Sequence, residues 1–137
     1  MNKTKKYFFL SRLMAMGLVM GGVLAANTTY AESIFEYLTP TADSSPAGLA
    51  FDSKGNLWFA EVNGNKIGKL TPSKVKPGTS DGIVEYELPH ANSKPQYLMV
   101  SRDDIVWFSE MGGNRIGRLD PATGIIREYD IPTPNSE

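Results

Sequence analysis

The chain has no cysteine among its 137 residues and a single histidine, His90. The first absence excludes a disulfide framework, a thiolate metal site and a cysteine nucleophile. The second leaves one imidazole, in the polar linker His90-Ala91-Asn92-Ser93, with no Asp or Glu close to it in sequence. Such a histidine is expected to be a solvated loop residue, despite titrating near neutral pH. Helical periodicity is also missing. Beyond the N-terminus no run of ten or more residues has helical spacing, and Gly and Pro interrupt the chain throughout, which excludes helical repeats.

There is one long apolar run, Leu13 to Ala26, and it is fourteen residues long. A membrane-spanning helix needs about twenty. The run follows Lys3, Lys5, Lys6 and Arg12 and precedes Thr29-Tyr30-Ala31, the order of a secretory signal peptide cleaved after Ala31. Residues 1–31 are therefore expected to be a leader, with the protein exported to the periplasm or outside the cell and no stable membrane anchor after cleavage. Residues 32–137 then carry ten basic and fifteen acidic side chains, a net charge of −5. That balance argues against nucleic-acid or anionic-lipid partners.

What the chain has is a repeat. Leu57 to Pro72 (LWFAEVNGNKIGKLTP) returns 49 residues later as Val106 to Pro121 (VWFSEMGGNRIGRLDP), with nine of sixteen positions identical. Pro46 aligns with Pro95. Glu85-Tyr86-Glu87-Leu88-Pro89 returns as Glu128-Tyr129-Asp130-Ile131-Pro132, and an upstream copy is Glu36-Tyr37-Leu38-Thr39-Pro40. The closing elements lie 43 residues apart rather than 49, because the loop Thr71 to Gly82 is longer than its counterpart Asp120 to Gly124. Loops absorb such extra length at little thermodynamic cost.

Each unit reads as four short strands. Gly48 to Asp52 is an apolar run ending in a turn. Leu57 to Glu61 is nearly all apolar, as a strand buried on both faces should be. Asn63-Gly64-Asn65 supplies residues that tolerate positive φ in a tight hairpin. Lys66 to Leu70 pairs back. Ile83 to Leu88 alternates, with Val84, Tyr86 and Leu88 on one face and Glu85 and Glu87 on the other. Four antiparallel strands per repeat of about 40 to 50 residues make a β-propeller blade. The expected fold is all-β: an orphan closing strand and linker over 32–45, one blade over 46–94, and a second blade with its tail over 95–137, nine strands in an incomplete propeller. Propellers close with about four to eight blades. Two blades would each leave a broad apolar face uncovered, which predicts self-association. The orphan strand, Ile34 to Thr39, is expected to pack poorly, its own blade being missing.

The set LWF-x-E, GN-[KR]-IG-[KR]-L-x-P and E-Y-x-[LI]-P resembles the streptogramin B lyases, also called virginiamycin B lyases. The first blade carries it best. The second departs at its first turn, where Arg102-Asp103-Asp104-Ile105 replaces Ser53-Lys54-Gly55-Asn56. The resemblance implies a seven-bladed propeller that opens a cyclic depsipeptide ester by elimination, with Mg²⁺ polarising the carbonyl and a histidine removing the α-proton. In the family that histidine stands two positions after the Glu of an LWF-x-E strand. Here the pairs are Glu61 with Asn63 and Glu110 with Gly112. The acidic half of the motif is present and the base is not.

Glu61 and Glu110 are the candidate polar residues of a central funnel. The plainer reading is that a carboxylate ending a buried strand is solvated or bonds a neighbouring backbone. Trp58 and Trp107 are expected in the core between blades. Lys66, Arg115, Lys69 and Arg118 are expected at solvated rims, their stems covering apolar surface. Three functions fit: an exported piece of a lyase-like propeller, inactive alone; a non-catalytic exported module binding a small molecule, peptide or protein; and a two-blade unit that assembles with itself.

Overall fold

The computed structural model describes residues 7–10 and 34–136. All ten of the strands in this part are antiparallel-paired. They are β1 (Tyr7–Leu10), β2 (Phe35–Leu38), β3 (Pro46–Phe51), β4 (Leu57–Glu61), β5 (Lys66–Leu70), β6 (Ile83–Glu87), β7 (Pro95–Val100), β8 (Val106–Glu110), β9 (Arg115–Asp120) and β10 (Ile125–Asp130). β3-β4-β5-β6 and β7-β8-β9-β10 are two four-stranded sheets, and β1 pairs with β2. The two sheets are the expected blades. No helix among the described residues is long and apolar enough to cross a membrane.

Strand count differs from the expected nine because Tyr7–Leu10 pairs with the orphan strand. The rest of the expected leader, residues 1–6 and 11–31, lies outside the described residues.

Every residue of β4 is buried, as its apolar run requires. Its two faces meet different neighbours. Trp58 and Ala60, with Ile67 and Leu88, pack against Val106, Phe108 and Leu119 of the second blade. Leu57 and Phe59, with Leu70 and Ile83, pack against Tyr37, and Phe35 and Val75 close the same cluster. Alternation thus assigns one side of the strand to the following blade and the other to the preceding segment.

That second cluster overturns the expectation for the orphan strand. β2 does not lie free. Tyr37 is only 9% exposed, because the apolar side of the first blade offers it a surface and the long loop offers it a partner. Its Leu38 N–H donates to Thr79 O at 3.0 Å, and Gly78 N–H donates to Glu36 O at 2.7 Å. So one blade face is covered. The other outward face, on the second blade, has no covering element among the described residues.

Two glycines set the blade thickness. Phe59 is the register partner of Gly68, and Phe108 of Gly117. A Cβ on Gly68 would come within 2.2 Å of the Phe59 ring, and one on Gly117 within 2.1 Å of the Phe108 ring. The phenyl ring lies across the neighbouring strand, in the space a side chain would fill.

The outer strand departs from its reading. Tyr86 and Leu88 do pack into the interblade core, but Val84 is 54% exposed. On the charged face Glu87 is exposed, but Glu85 is enclosed, its side chain 9% exposed. It is held there by polar partners described below. At the opposite end of the blade, Asp52 accepts hydrogen bonds from the backbone N–H of Lys54 and Asn56, from Asn56 Nδ2, and from the Trp58 indole at 3.0 Å. These donors hold its carboxyl below the usual range although burial works against them. The second blade lacks this aspartate. Its Asp104 instead bonds Ser53 of the first, at 2.8 Å to the amide and 2.6 Å to the hydroxyl.

Candidate functional site

Both Glu61 and Glu110 end the second strand of their blade, and both are buried, at 0% and 1% exposure. This corrects the solvated reading. Strand alternation turns each carboxylate toward the preceding element, and the linker entering the blade then closes over it. Each sits in a polar cluster of equivalent composition. The first holds Glu61, Lys66, Glu85, Ser44 and Thr41. The second holds Glu110, Arg115, Glu128, Ser93 and His90. Ser44 and Ser93 are fully buried.

The clusters are wired differently. In the first, Lys66 Nζ reaches Glu85 Oε2 at 2.8 Å and Thr41 Oγ1 at 2.8 Å. The Thr41 amide and hydroxyl also donate to Glu85, at 2.7 and 2.6 Å. Against the cost of burial, these donors hold Glu85 below its usual range. Glu61 is left out. Neither of its oxygens has a well-aligned hydrogen-bond partner among the described residues, though Ser44 and Glu85 lie close enough to act on it. Burial, and then the charge of Glu85, push its carboxyl up from 4.5 to about 8. A value raised this far favours the protonated acid near neutral pH.

In the second cluster the arginine reaches the strand-end carboxylate. Arg115 Nε donates to Glu110 Oε2 at 3.1 Å and Arg115 Nη2 to Ser93 Oγ at 3.0 Å. Burial raises Glu110 above its usual range, the charge of Glu128 adds to this, and Ser93 and Arg115 oppose it. Glu128 lies 3.8 Å from Arg115 Nε and bonds His90 Nδ1. His90 is 62% exposed, as its linker position suggested, but it is not free. Glu128, 38 residues away in sequence, is brought to it by blade packing. Lys66 and Arg115 are likewise ion-paired rather than solvated. Lys69 and Arg118 do cover apolar surface, lying 5.1 and 6.0 Å from the ring centroids of Trp58 and Trp107.

Glu85, Glu128, Ser44, Ser93 and Thr41 were missed as cluster members. The signal was available: Ser44 and Ser93 are one period apart, as are Thr41 and His90, and Glu85 aligns with Glu128. The two Glu clusters belong to different blades, and no group of three or more His, Cys, Asp or Glu side chains able to hold a metal ion occurs among the described residues.

The positions two after each Glu have structural work. Asn63 Nδ2 donates to Ser45 Oγ at 2.7 Å. Gly112 N–H donates to Ser93 O at 3.0 Å, and a Cβ on Gly112 would meet Asn92 O at 2.2 Å. Any side chain there would displace the linker. Asn65, which recurs as Asn114, has φ of 56°. Its Nδ2 donates to His90 O and its Oδ1 accepts from Ser93 N–H, both at 2.8 Å. Asn114 repeats this, with φ of 51°, bonds to the carbonyls of Ile131 and Thr133, and a bond from Ser136 N–H. Asn65→Ala removes two bonds and keeps the strained φ, so urea unfolding should show a loss of about 2 kcal/mol.

Trp58 is fully buried between the blades, as expected. Trp107 is not. It lies on the open face of the second blade with Tyr97, Met99 and Ile116, lining an apolar hollow of about 440 Å³. The reason is position alone: it holds the place of Trp58, but no following blade covers it among the described residues.

The chain matches a model of the Virginiamycin B lyase family over residues 23–137. A virginiamycin B lyase from Bacillus licheniformis is 45% identical over 38 residues, 28% of this chain and 13% of that protein. A streptogramin B lyase structure superposes with a TM-score of 0.68 at 36% identity, covering 77% of this chain and 33% of its own. A catalytically inactive virginiamycin B lyase variant from Staphylococcus aureus, solved with quinupristin, gives 0.68 at 40% identity, over 79% and 34%. This chain therefore spans about a third of the length of those two structures.

Proposed function

The chain belongs to the virginiamycin B lyase family, and from that premise we propose that it is an exported two-blade portion of a lyase-like propeller that does not open streptogramin esters by itself. One observation carries this reading. The two places where the family motif would put the base hold Asn63 and Gly112, and a side chain at Gly112 would collide with Asn92 O. His90, the remaining imidazole, is tied to Glu128 in the linker cluster, outside the strand-end turns.

The residues present do not fit a Mg²⁺ site. Mg²⁺ takes ionised oxygen ligands in an open octahedron and keeps several waters. Glu61 is fully enclosed, and its neighbour Glu85 is committed to Lys66 and Thr41. Glu110 is buried and already bonded to Arg115. No step through a metal follows from this chain. Its contribution is positional: each blade packs its Val-x-Phe or Leu-x-Phe face on the element before it and presents its Trp face to whatever comes next.

The reaction proposed for the complete architecture is carbon–oxygen elimination on a cyclic depsipeptide ester, the class of the family. The binding-module reading draws support from the open Trp107 face, whose Tyr, Trp and Met content suits a protein surface. The assay is ring opening of a streptogramin B antibiotic with the 137-residue chain and Mg²⁺, followed by mass spectrometry. No linear product above the uncatalysed background is expected. Turnover that disappears in Glu61→Gln would overturn the reading.

A further inference from the structure

The two polar clusters are the same parts joined in two ways. In the second blade the cation that opens the third strand reaches the strand-end carboxylate. Arg115 Nε donates to Glu110 Oε2 at 3.1 Å, and its Nη2 donates to Ser93 Oγ at 3.0 Å. In the first blade the cation turns the other way. Lys66 Nζ donates to Glu85 Oε2 and to Thr41 Oγ1, both at 2.8 Å. Glu61 is left without a well-aligned partner among the described residues. Glu85 in turn fastens the linker, because the Thr41 amide and hydroxyl donate to it at 2.7 and 2.6 Å.

The difference follows from the cation. A guanidinium carries several donors in a fixed fork and serves more than one partner at once. Arg115 bonds Glu110 and Ser93 while lying 3.8 Å from Glu128. A lysine ammonium is a compact charge on a flexible stem. With two carboxylates beside it, Lys66 goes to one, and the other is left to hold a proton. That one is Glu61, which is wholly buried and whose carboxyl burial, and then the charge of Glu85, push up to about 8. The charged groups acting on it are Glu85 from β6 and Lys66 from β5. Glu87, the register partner of Lys66, acts on that lysine from β6.

We propose that Glu61 and Lys66 form a proton-controlled latch on the linker 39–43: ionisation of Glu61 draws Lys66 away from Glu85 and Thr41 into the wiring that the second blade already has, and the Thr41 end of the linker comes free. The proton passes to solvent, and the ammonium moves from one carboxylate to the other. Release stays local, because the carbonyls of Ser44 and Ser45 accept bonds from the amides of Val62, Asn63 and Gly64. It also sustains itself. Once the linker lifts, water reaches Glu61, and hydration favours its charged form further. The latch is shut at neutral pH and opens as pH rises through about 8.

Amide hydrogen exchange on the full chain reads the latch at the Thr41 amide. Between about pH 6.5 and about pH 9, after correction for intrinsic rates, protection at Thr41 should fall by about tenfold or more beyond any fall at Phe59, a central-strand amide that reports global opening. The Ser93 amide, held by Asn65 Oδ1, should follow Phe59. Glu61→Gln has no proton to lose, and Lys66→Arg can serve both carboxylates, so each should abolish the excess fall at Thr41. Thr41 and Phe59 falling together in the native chain would overturn the latch while leaving a general loss of stability at high pH intact. An undiminished excess at Thr41 in Glu61→Gln or in Lys66→Arg would overturn it as well.

Discussion

Gly68→Ala is expected to cost about 3 kcal/mol, seen as a lower urea midpoint with the slope unchanged. The added methyl would meet the Phe59 ring at 2.2 Å. Phe59 is wholly buried and packs with Leu57, Leu70 and Tyr37, so the ring has nowhere to go. The strain must move β5 away from β4 or push the ring into β2. Two controls separate this from ordinary glycine effects. Gly55, at φ 75°, has nothing within 4 Å of an added Cβ, and Gly55→Ala should cost only the left-handed strain, about 1 kcal/mol. Phe59→Leu should recover part of the loss when combined with Gly68→Ala but not when combined with Gly55→Ala. Equal penalties at Gly55 and Gly68 would contradict the ring-on-glycine account.

Glu61→Gln is expected to change how stability depends on pH. The folded carboxyl titrates at about 8 against an ordinary value of 4.5. The folded state therefore holds the proton more tightly than the unfolded chain. The stabilisation is fully present below about 4.5 and is lost as pH rises through about 8. Over that window the native chain should lose a few kcal/mol. Glu110, also raised by burial, adds to the same slope. Glu85 runs the other way: its lowered value makes its stabilisation present above its unfolded pKa and lost on acidification. Gln at 61 keeps the shape without the proton, so thermal unfolding at a series of pH values should show a flatter decline toward pH 8.5. A variant curve parallel to the native one would mean that Glu61 is ionised in the folded protein at neutral pH.

The blades were legible because their signals are local. Buried second strands, positive-φ turns and the 49-residue period all reside in contiguous sequence, and β4, β5 and β8 fall where the pattern put them. The polar clusters were harder to read. Lys66 finds Glu85, 19 residues on, and His90 finds Glu128 only because the blades pack side by side. A charged residue's solvent exposure depends on which face its strand turns toward a neighbour, and that is a tertiary fact. Trp107 shows the converse. Its sequence context, VWFSE for LWFAE, closely resembles that of Trp58, yet its exposure differs, because burial belongs to the pair of surfaces and not to the residue. The insertion was located by unequal periods, but its grip on β2 runs through backbone groups that leave no trace in side-chain type.

The asparagine ties have a consequence for how such an array could grow. Asn65 belongs to one blade but anchors the segment that carries Ser93 into the next, and Asn114 already grips Ser136 in the same manner. The seam between neighbours is thus encoded half on each side of a boundary, and any cut in phase with the period returns both halves. A recombination event that copies one full period, wherever it begins, yields a segment whose two ends fit the ends it is spliced between. Out-of-phase copies would separate a serine from its asparagine and leave an unmatched seam.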